Sequence, residues 1–323
     1  MNIKKVGLTA LAASLVSVSA NAGELSVSGA ASLGIGGYSG DKVDLGTSFT
    51  MGNQFTVTGS GELDNGLNVS LSYQLDQGAA AGTNGTFDDH SLTVSSDEMG
   101  TLKFSGHGGS SASSSIDGTV AGDIWDGFDG QLSTNAATGL AVSAAAAGNN
   151  SMFYTLPEIM EGVSLFASYN PQVAGTTEAE VGYGITYTGI EGLTASYATT
   201  DENTGTANTS GEQTAYKLSY AFGPVTVGMS NSDYDVGSSG TDQEIDSYSI
   251  AYTVSDELSI SYGVEEITQQ SKAVKAEYSA IVAAYTSGGV TLTAKMEDAE
   301  NIDGTTNATA DQEYYFLGAA FAF

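Results

Sequence analysis

Three residue types are absent or scarce in this 323-residue chain, and each shortage removes a class of protein. There is no cysteine, which excludes a disulfide framework. There is no arginine, and eight lysines stand against 38 acidic residues, so the formal net charge is −30. Because phosphate contacts require clusters of Lys and Arg, this balance argues against a nucleic-acid partner. Only three prolines accompany 42 glycines, which favours strands joined by Gly-bearing turns.

Long apolar runs are also lacking, and the one at the amino terminus has the parts of a secretory signal. Lys4 and Lys5 precede an apolar stretch at 6–18, and Ala20-Asn21-Ala22 forms a small-x-small cleavage site. The stretch is shorter than the roughly 20 residues of a transmembrane helix, and no later stretch reaches that length. We therefore expect a cleaved signal peptide at 1–22 and a single domain at 23–323, which has a net charge of −32 once the two signal lysines are removed from the −30.

What the chain does have, from end to end, is alternation of apolar and polar residues. In one segment Leu67, Val69, Leu71, Tyr73 and Leu75 alternate with Asn, Ser, Gln and Asp. A two-residue period is typical of a strand with one apolar and one polar face. Soluble sandwiches and membrane barrels both show this pattern, so the lengths of the connections are needed to separate them.

Short turns alternate with long polar segments along the chain. The turns at 64–66 and 98–100 have three residues each, whereas the segment at 108–150 is the longest connection. Barrels of the outer membrane have this asymmetry, with short periplasmic turns and long external loops. The intervals between connections give about sixteen strands of roughly 9 to 12 residues, the length that a tilted strand needs to cross a bilayer. The sequence therefore predicts an all-β, antiparallel transmembrane barrel.

Two motifs in this pattern resemble those of a known family. The chain ends on alternating residues that resemble the assembly signal of bacterial outer-membrane barrels, namely Tyr315, Leu317, Ala319, Phe321 and Phe323. The segment Tyr154-Thr155-Leu156-Pro157, followed by Gly162-Val163 and Ser168-Tyr169-Asn170-Pro171, resembles a stretch of the general diffusion porins. The whole mature chain is similar to the α-proteobacterial, Rhodobacter-like porins.

This resemblance implies a homotrimer of sixteen-stranded barrels, inserted by the barrel assembly machinery and surrounded by outer-membrane lipid and lipopolysaccharide. It also implies that the third loop folds inward and narrows the pore. The segment in that place, 108–139, carries Asp117, Asp123, Trp125, Asp126 and Asp129. Because so long a connection without secondary structure is uncommon unless it is functional, we expect these residues at the constriction.

In the resembled family, acids on this loop face a ladder of basic residues, and this chain has no arginine to build one. Strand parity predicts which residues lie on the pore wall: Lys103, His107, Lys217, Lys295, Glu62, Asp76, Asp89, Glu180, Glu265 and Glu297. Because carboxylates lower the energy of a cation in a water-filled lumen, this excess of acids predicts cation preference. Few aromatics have interior parity, chiefly Phe166, Tyr314 and Phe316, so a sugar-specific channel is less favoured than general diffusion.

The predicted function is a passive channel for small hydrophilic solutes and ions. A non-conducting structural or adhesive barrel and a substrate-specific channel are the alternatives. No enzyme is expected, because the chain lacks a Gly-x-Ser-x-Gly elbow and His90 and His107 form no catalytic grouping. No cofactor is expected either, apart from a weak possibility of calcium at Asp123, Asp126 and Asp129, which lack the EF-hand pattern.

Overall fold

Sixteen strands form a closed antiparallel barrel in which each strand pairs with its neighbours in sequence and the first pairs with the last. The computed structural model describes residues 23–40, 43–76, 87–128, 139–140, 142, 145, 148–171, 179–202, 211–236, 241–307 and 309–323. The all-β, sixteen-stranded prediction is confirmed. In chain order the strands are β1 Glu24–Gly40, β2 Val43–Glu62, β3 Asn68–Asp76, β4 Asp89–Ser96, β5 Gly100–His107, β6 Ser151–Thr155, β7 Val163–Asn170, β8 Glu180–Tyr187, β9 Leu193–Glu202, β10 Gly211–Phe222, β11 Val225–Val236, β12 Gln243–Thr253, β13 Leu258–Gln269, β14 Ala276–Ser287, β15 Val290–Glu300 and β16 Gln312–Ala322.

Helical structure is slight in the described residues. One 3₁₀ helix, Ile124–Gly127, lies in the connection between β5 and β6. No helix in the described ranges is both long enough and apolar enough to cross a membrane.

The outer face of the barrel is a continuous apolar belt. Residues directly opposite each other on paired strands share a face, and one such row crosses β11 to β15. Its members are exposed by 45 to 70 %: Val227, Ile250, Tyr262, Ile281 and Met296. Apolar surface of this extent is unfavourable in water and favourable in lipid, so this belt faces the bilayer.

The inner face carries the other half of each alternation. One row of this face, three residues along the strands from the apolar one, contains Ser230, Ser247, Glu265 and Tyr278, paired across β11 to β14. Tight turns at the ends of the strands use glycine where φ is positive, as at Gly100 (75°) and Gly162 (74°). At both positions a Cβ would also overlap neighbouring backbone atoms, so a larger residue could not replace glycine.

The barrel closes through its two terminal strands. The Gly29 N–H donates to the Phe323 carbonyl at 2.7 Å, and the Phe323 N–H donates to the Gly29 carbonyl at 3.0 Å. The Phe323 ring lies over Gly29, where a Cβ would meet the ring at 2.4 Å. The large residues of the terminal motif face outward and are exposed: Tyr315, Leu317, Phe321 and Phe323.

Candidate pore constriction

The described part of the long connection between β5 and β6 lies inside the barrel and follows its wall. Backbone N–H groups of Ala112 and Val120 donate to Ser168 Oγ (2.8 Å) and Ser230 Oγ (3.0 Å), and that of Ala121 donates to Ser247 Oγ (3.2 Å). These serines belong to β7, β11 and β12 and share the inner face. One loop thus contacts three strands of the wall, and each wall hydroxyl satisfies a loop N–H that the loop itself leaves unpaired.

Gln213 on β10 joins two parts of this loop to the wall. Its Oε1 accepts from Ser113 Oγ (2.8 Å) and from the Ala145 N–H (2.9 Å), while its Nε2 donates to Asp117 Oδ2 (3.0 Å). The side chain is 1 % exposed. The sequence analysis missed Gln213, although an amide at an interior position, able to donate and accept together, is the signal that could have found it.

Glu265 on β13 is a second junction between wall and loop. It accepts from the Thr119 hydroxyl and, at 3.1 Å, from the Trp125 N–H. The sequence analysis placed Glu265 on the pore wall; it does lie on the inner face, but beneath the loop and only 1 % exposed. Its carboxylate therefore holds the loop and does not line the free lumen.

Beyond Glu265 the loop packs against the wall in an apolar cluster that the sequence pattern did not reveal. Ile124 and Phe128 of the loop pack against Ile245, Ile267 and other interior residues of the wall. The half-buried Trp125, predicted at the constriction, packs against the same cluster. Tyr38 on β1 donates from its hydroxyl to the Gly127 carbonyl at 2.6 Å. The loop is thus anchored on both sides of this apolar cluster, by Glu265 and by Tyr38.

The three described loop acids differ in their surroundings. Asp126 is exposed, whereas Asp123 is half-buried and its Oδ1 accepts from the Thr119 N–H at 2.8 Å. Burial raises the pKa of Asp117; the Gln213 hydrogen bond lowers it, the charge of Asp123 raises it, and Lys217 lowers it, in decreasing order of effect. Asp129 lies outside the described residues.

The calcium idea rested on Asp123, Asp126 and Asp129, and the last of these lies outside the described ranges. One oxygen of Asp123 is already engaged with the loop backbone. Among the described residues, no group of three or more His, Cys, Asp or Glu side chains is arranged to hold a metal ion.

Most positive groups on the inner face lie beside carboxylates. Lys295 Nζ is 2.7 Å from Glu297 Oε1, and His107 Nδ1 is 3.5 Å from Asp89 Oδ1. Lys217 Nζ and Asp123 Oδ2 both approach Gly118, at 3.8 and 3.4 Å from where a Cβ would stand.

The remaining predicted wall residues are spread over other parts of the inner face. Lys103 is exposed on β5 and lines a cavity of about 140 Å³ together with Gln74, Asp89 and His107. Glu62 is exposed at the end of β2, and Asp76 is half-buried at the end of β3. Glu180 is buried at the start of β8.

Aromatic side chains are more frequent on the inner face than the sequence analysis expected. Tyr38 pairs with Tyr314 across β1 and β16, and their rings stack with centroids 4.4 Å apart. Phe153 stacks on Phe166 at 5.5 Å. Tyr234 and Tyr278 have the same interior parity as their paired neighbours Gln213 and Glu265. The expectation of few interior aromatics was wrong. Tyr38 lies in a Gly-rich stretch and Phe153 in a strand of five residues, where alternation is hard to follow.

Comparison with known proteins agrees with this architecture. The family model described as "Gram-negative porin" matches residues 7–272. An anion-selective porin from Comamonas acidovorans superposes with a TM-score of 0.67 at 16 % identity, covering 93 % of this chain and 99 % of that one. A triple mutant of Rhodopseudomonas blastica porin superposes with a TM-score of 0.64 at 18 % identity, covering 93 % and 100 %. No curated protein matches the sequence.

These superpositions establish the shared fold, and the family match extends over most of the chain. Porins are channel proteins of the outer membrane and not enzymes, and their closed barrel is the one described above. The chain belongs to the Gram-negative porin family and is a transmembrane β-barrel of the outer membrane.

Proposed function

We propose that this porin is a passive, water-filled channel for small hydrophilic solutes and ions, with a preference for cations. The observation that carries the proposal is the loop inside the barrel, which brings Asp117, Asp123 and Asp126 to the interior of a chain without arginine. Carboxylates around a narrow aqueous passage stabilise a positive ion and repel a negative one.

The placement of the basic groups supports the same sign. Lys295 is paired with Glu297, and Lys217 lies beside two loop acids, so both charges are partly offset. Lys103, on β5, is the exposed lysine of the inner face within the described ranges. The similar Comamonas protein is named anion-selective, so this fold is compatible with either preference, and the side chains decide between them.

Planar-bilayer recordings in a potassium chloride gradient test this function. Purified full-length protein is expected to give stable open channels whose reversal potential has the sign of potassium preference. A reversal potential of the opposite sign contradicts the cation preference. Folded, inserted protein without conductance contradicts the channel itself and favours a structural or adhesive barrel.

A substrate-specific channel is the second candidate, and the interior aromatics favour it. Tyr314 and Phe316 lie in line with Tyr38, and ring faces of this kind can stack on the apolar face of a pyranose. A sugar that binds in the lumen is expected to reduce ion current in a concentration-dependent way. Current unaffected by maltose and cellobiose leaves general diffusion as the function.

We also propose the assembly that the family resemblance implies: export by residues 1–22, a mature chain at 23–323, and a homotrimer in contact with outer-membrane lipid and lipopolysaccharide. Conductance steps in groups of three test the trimer, and single independent steps contradict it. The outward, exposed Phe323 is assigned to recognition by the barrel assembly machinery. Phe323→Ser is expected to lower the yield of inserted protein in cells, and an unchanged yield contradicts that role.

A further inference from the structure

Two carboxylates face each other on the inner wall where β8 begins and β9 ends. Val181 pairs with Asp201, and the antiparallel register therefore puts Glu180 opposite Glu202. Like charges directly opposite on paired strands are destabilising. Residues paired in this way have Cβ atoms about 4.5–5.5 Å apart, so the register brings the two carboxylates within range of each other.

The surroundings of this pair contain oxygens, and one of the acids is buried. Glu180 is 6 % exposed, and its Oε1 is buried with no hydrogen-bond partner among the described residues. Tyr234 donates from its hydroxyl to Glu202 Oε2 at 2.7 Å, and its ring covers Gly211, the partner of Glu202 on β10. On the other side, Glu180 pairs with Asn170 of β7.

A buried carboxylate beside a second carboxylate requires a compensating positive charge. In the described part of the chain no lysine or histidine lies within ion-pair distance of either acid. Tyr234 supplies a hydrogen bond to Glu202 but no charge. Within the described residues neither acid has a positive partner, so the compensating charge is expected from the solvent, as a cation or a proton.

We propose that Glu180 and Glu202 bind a hard divalent cation, of which calcium is the probe. One divalent ion neutralises two carboxylates, and the Glu180 oxygen that has no protein partner becomes a ligand. The Asn170 amide is a third oxygen-bearing side chain in the same row. Two carboxylates and an amide leave positions for water, as in calcium sites with dissociation constants of about 10⁻⁴ to 10⁻³ M. This site is separate from the loop acids of the constriction.

Equilibrium dialysis with radioactive calcium tests the site in chelator-treated, full-length protein at about 0.15 M potassium chloride, where loosely held counterions are screened. Glu180→Gln is expected to bind about one calcium ion per chain fewer than the wild type. The matched control is Asp201→Asn. It also removes one carboxylate charge, at the residue before Glu202, but on the exposed outer face, and it is expected to bind calcium as the wild type does. Equal binding by the wild type and Glu180→Gln overturns the proposal, and so does an equal loss in both variants.

Thermal unfolding provides a second measurement. Without calcium, Glu180→Gln is expected to unfold at a higher temperature than the wild type, since it removes a buried charge and keeps the shape. Added calcium is expected to raise the unfolding temperature of the wild type and of Asp201→Asn but not of Glu180→Gln. If calcium has no effect and infrared spectra of the wild type at neutral pH show a protonated carboxyl band that Glu180→Gln lacks, a shared proton replaces the cation.

Discussion

Among the described loop acids, Asp126 has the most direct access to the lumen, because it is exposed whereas Asp117 and Asp123 are half-buried. A unit charge about 6 Å from a permeating ion in water contributes about 0.7 kcal/mol. This charge attracts potassium and repels chloride, so Asp126→Asn is expected to lower the potassium-to-chloride permeability ratio by about tenfold in dilute salt, and by less where salt screens the charge. Reversal potentials of wild type and variant in the same salt gradient measure this change.

The control for this variant is an acid of the barrel wall that faces away from the pore. Glu277 is exposed on the outer face of β14, opposite Glu266 and Glu300. Glu277→Gln is expected to leave the permeability ratio unchanged. If both variants lower the ratio equally, the preference arises from the overall charge and not from the constriction.

Asp117 gives the constriction a dependence on pH. Its pKa is raised chiefly by burial, so it loses its negative charge at a higher pH than an ordinary aspartate does. On acidification, the cation preference of the wild type is expected to begin falling at a higher pH than that of Asp117→Asn. Reversal potentials measured between neutral and acidic pH show this, and coincident curves exclude Asp117 as a contributor.

The raised pKa of Asp117 also makes the stability of the folded protein depend on pH. The folded protein holds the Asp117 proton more tightly than the unfolded chain does, because burial disfavours the charged form. Stability from this group therefore increases as the pH falls through its folded pKa and is absent well above that value. Asp117→Asn removes this pH dependence.

Strand parity predicts the face of a residue well but does not show what covers it. Glu265 and Lys103 have the same interior parity, yet one is buried beneath the loop and the other is exposed. That difference arises from the path of the loop, which depends on contacts between residues more than a hundred positions apart. Gln213 escaped the sequence analysis because its loop partners Ser113, Asp117 and Ala145 are also distant in sequence, at 68 to 100 positions.

At the scale of one element, Glu265 holds the loop between β5 and β6 in place. A carboxylate accepts from both Thr119 and Trp125, whereas a glutamine turns an N–H₂ group toward one of these donors. Hydrogen bonds to a charged acceptor contribute about 1.5–3 kcal/mol each. Glu265→Gln is therefore expected to loosen the loop and to give noisier currents with a larger mean conductance, measured in single-channel recordings.

The neighbouring residue offers a matched control. Glu266 lies on the outer face, where its Oε2 is 2.7 Å from Lys275 Nζ and both side chains are largely exposed. Because exposed ion pairs contribute little, Glu266→Gln is expected to keep the wild-type current. Unchanged noise and conductance in Glu265→Gln would mean that the apolar cluster around Ile124 and Phe128 holds the loop without this carboxylate.

Strands themselves were largely predictable, since a two-residue period sets both the element and its faces. The predicted strand order and count agree with the structure, and the lipid-facing rows follow from the same alternation. The lengths of β1 and β2, 17 and 20 residues, exceed the predicted range. Their Gly- and Ser-rich sequences lack a turn signal at the point where the membrane-crossing part ends. The short β6, of five residues, begins directly after the loop between β5 and β6.

For the whole molecule, the net charge of −30, or −32 without the two signal lysines, makes selectivity depend on ionic strength. The Debye length is about 10 Å at 0.1 M salt and about 3 Å at 1 M. At 0.1 M the acids of the wall and rim act together on an ion in the lumen, whereas at 1 M only groups beside its path still act. The potassium-to-chloride permeability ratio is therefore expected to be highest in dilute salt and to fall severalfold at 1 M. A ratio independent of salt would show that ions are separated by size or by direct binding, since a preference produced by the field of these carboxylates must weaken as that field is screened.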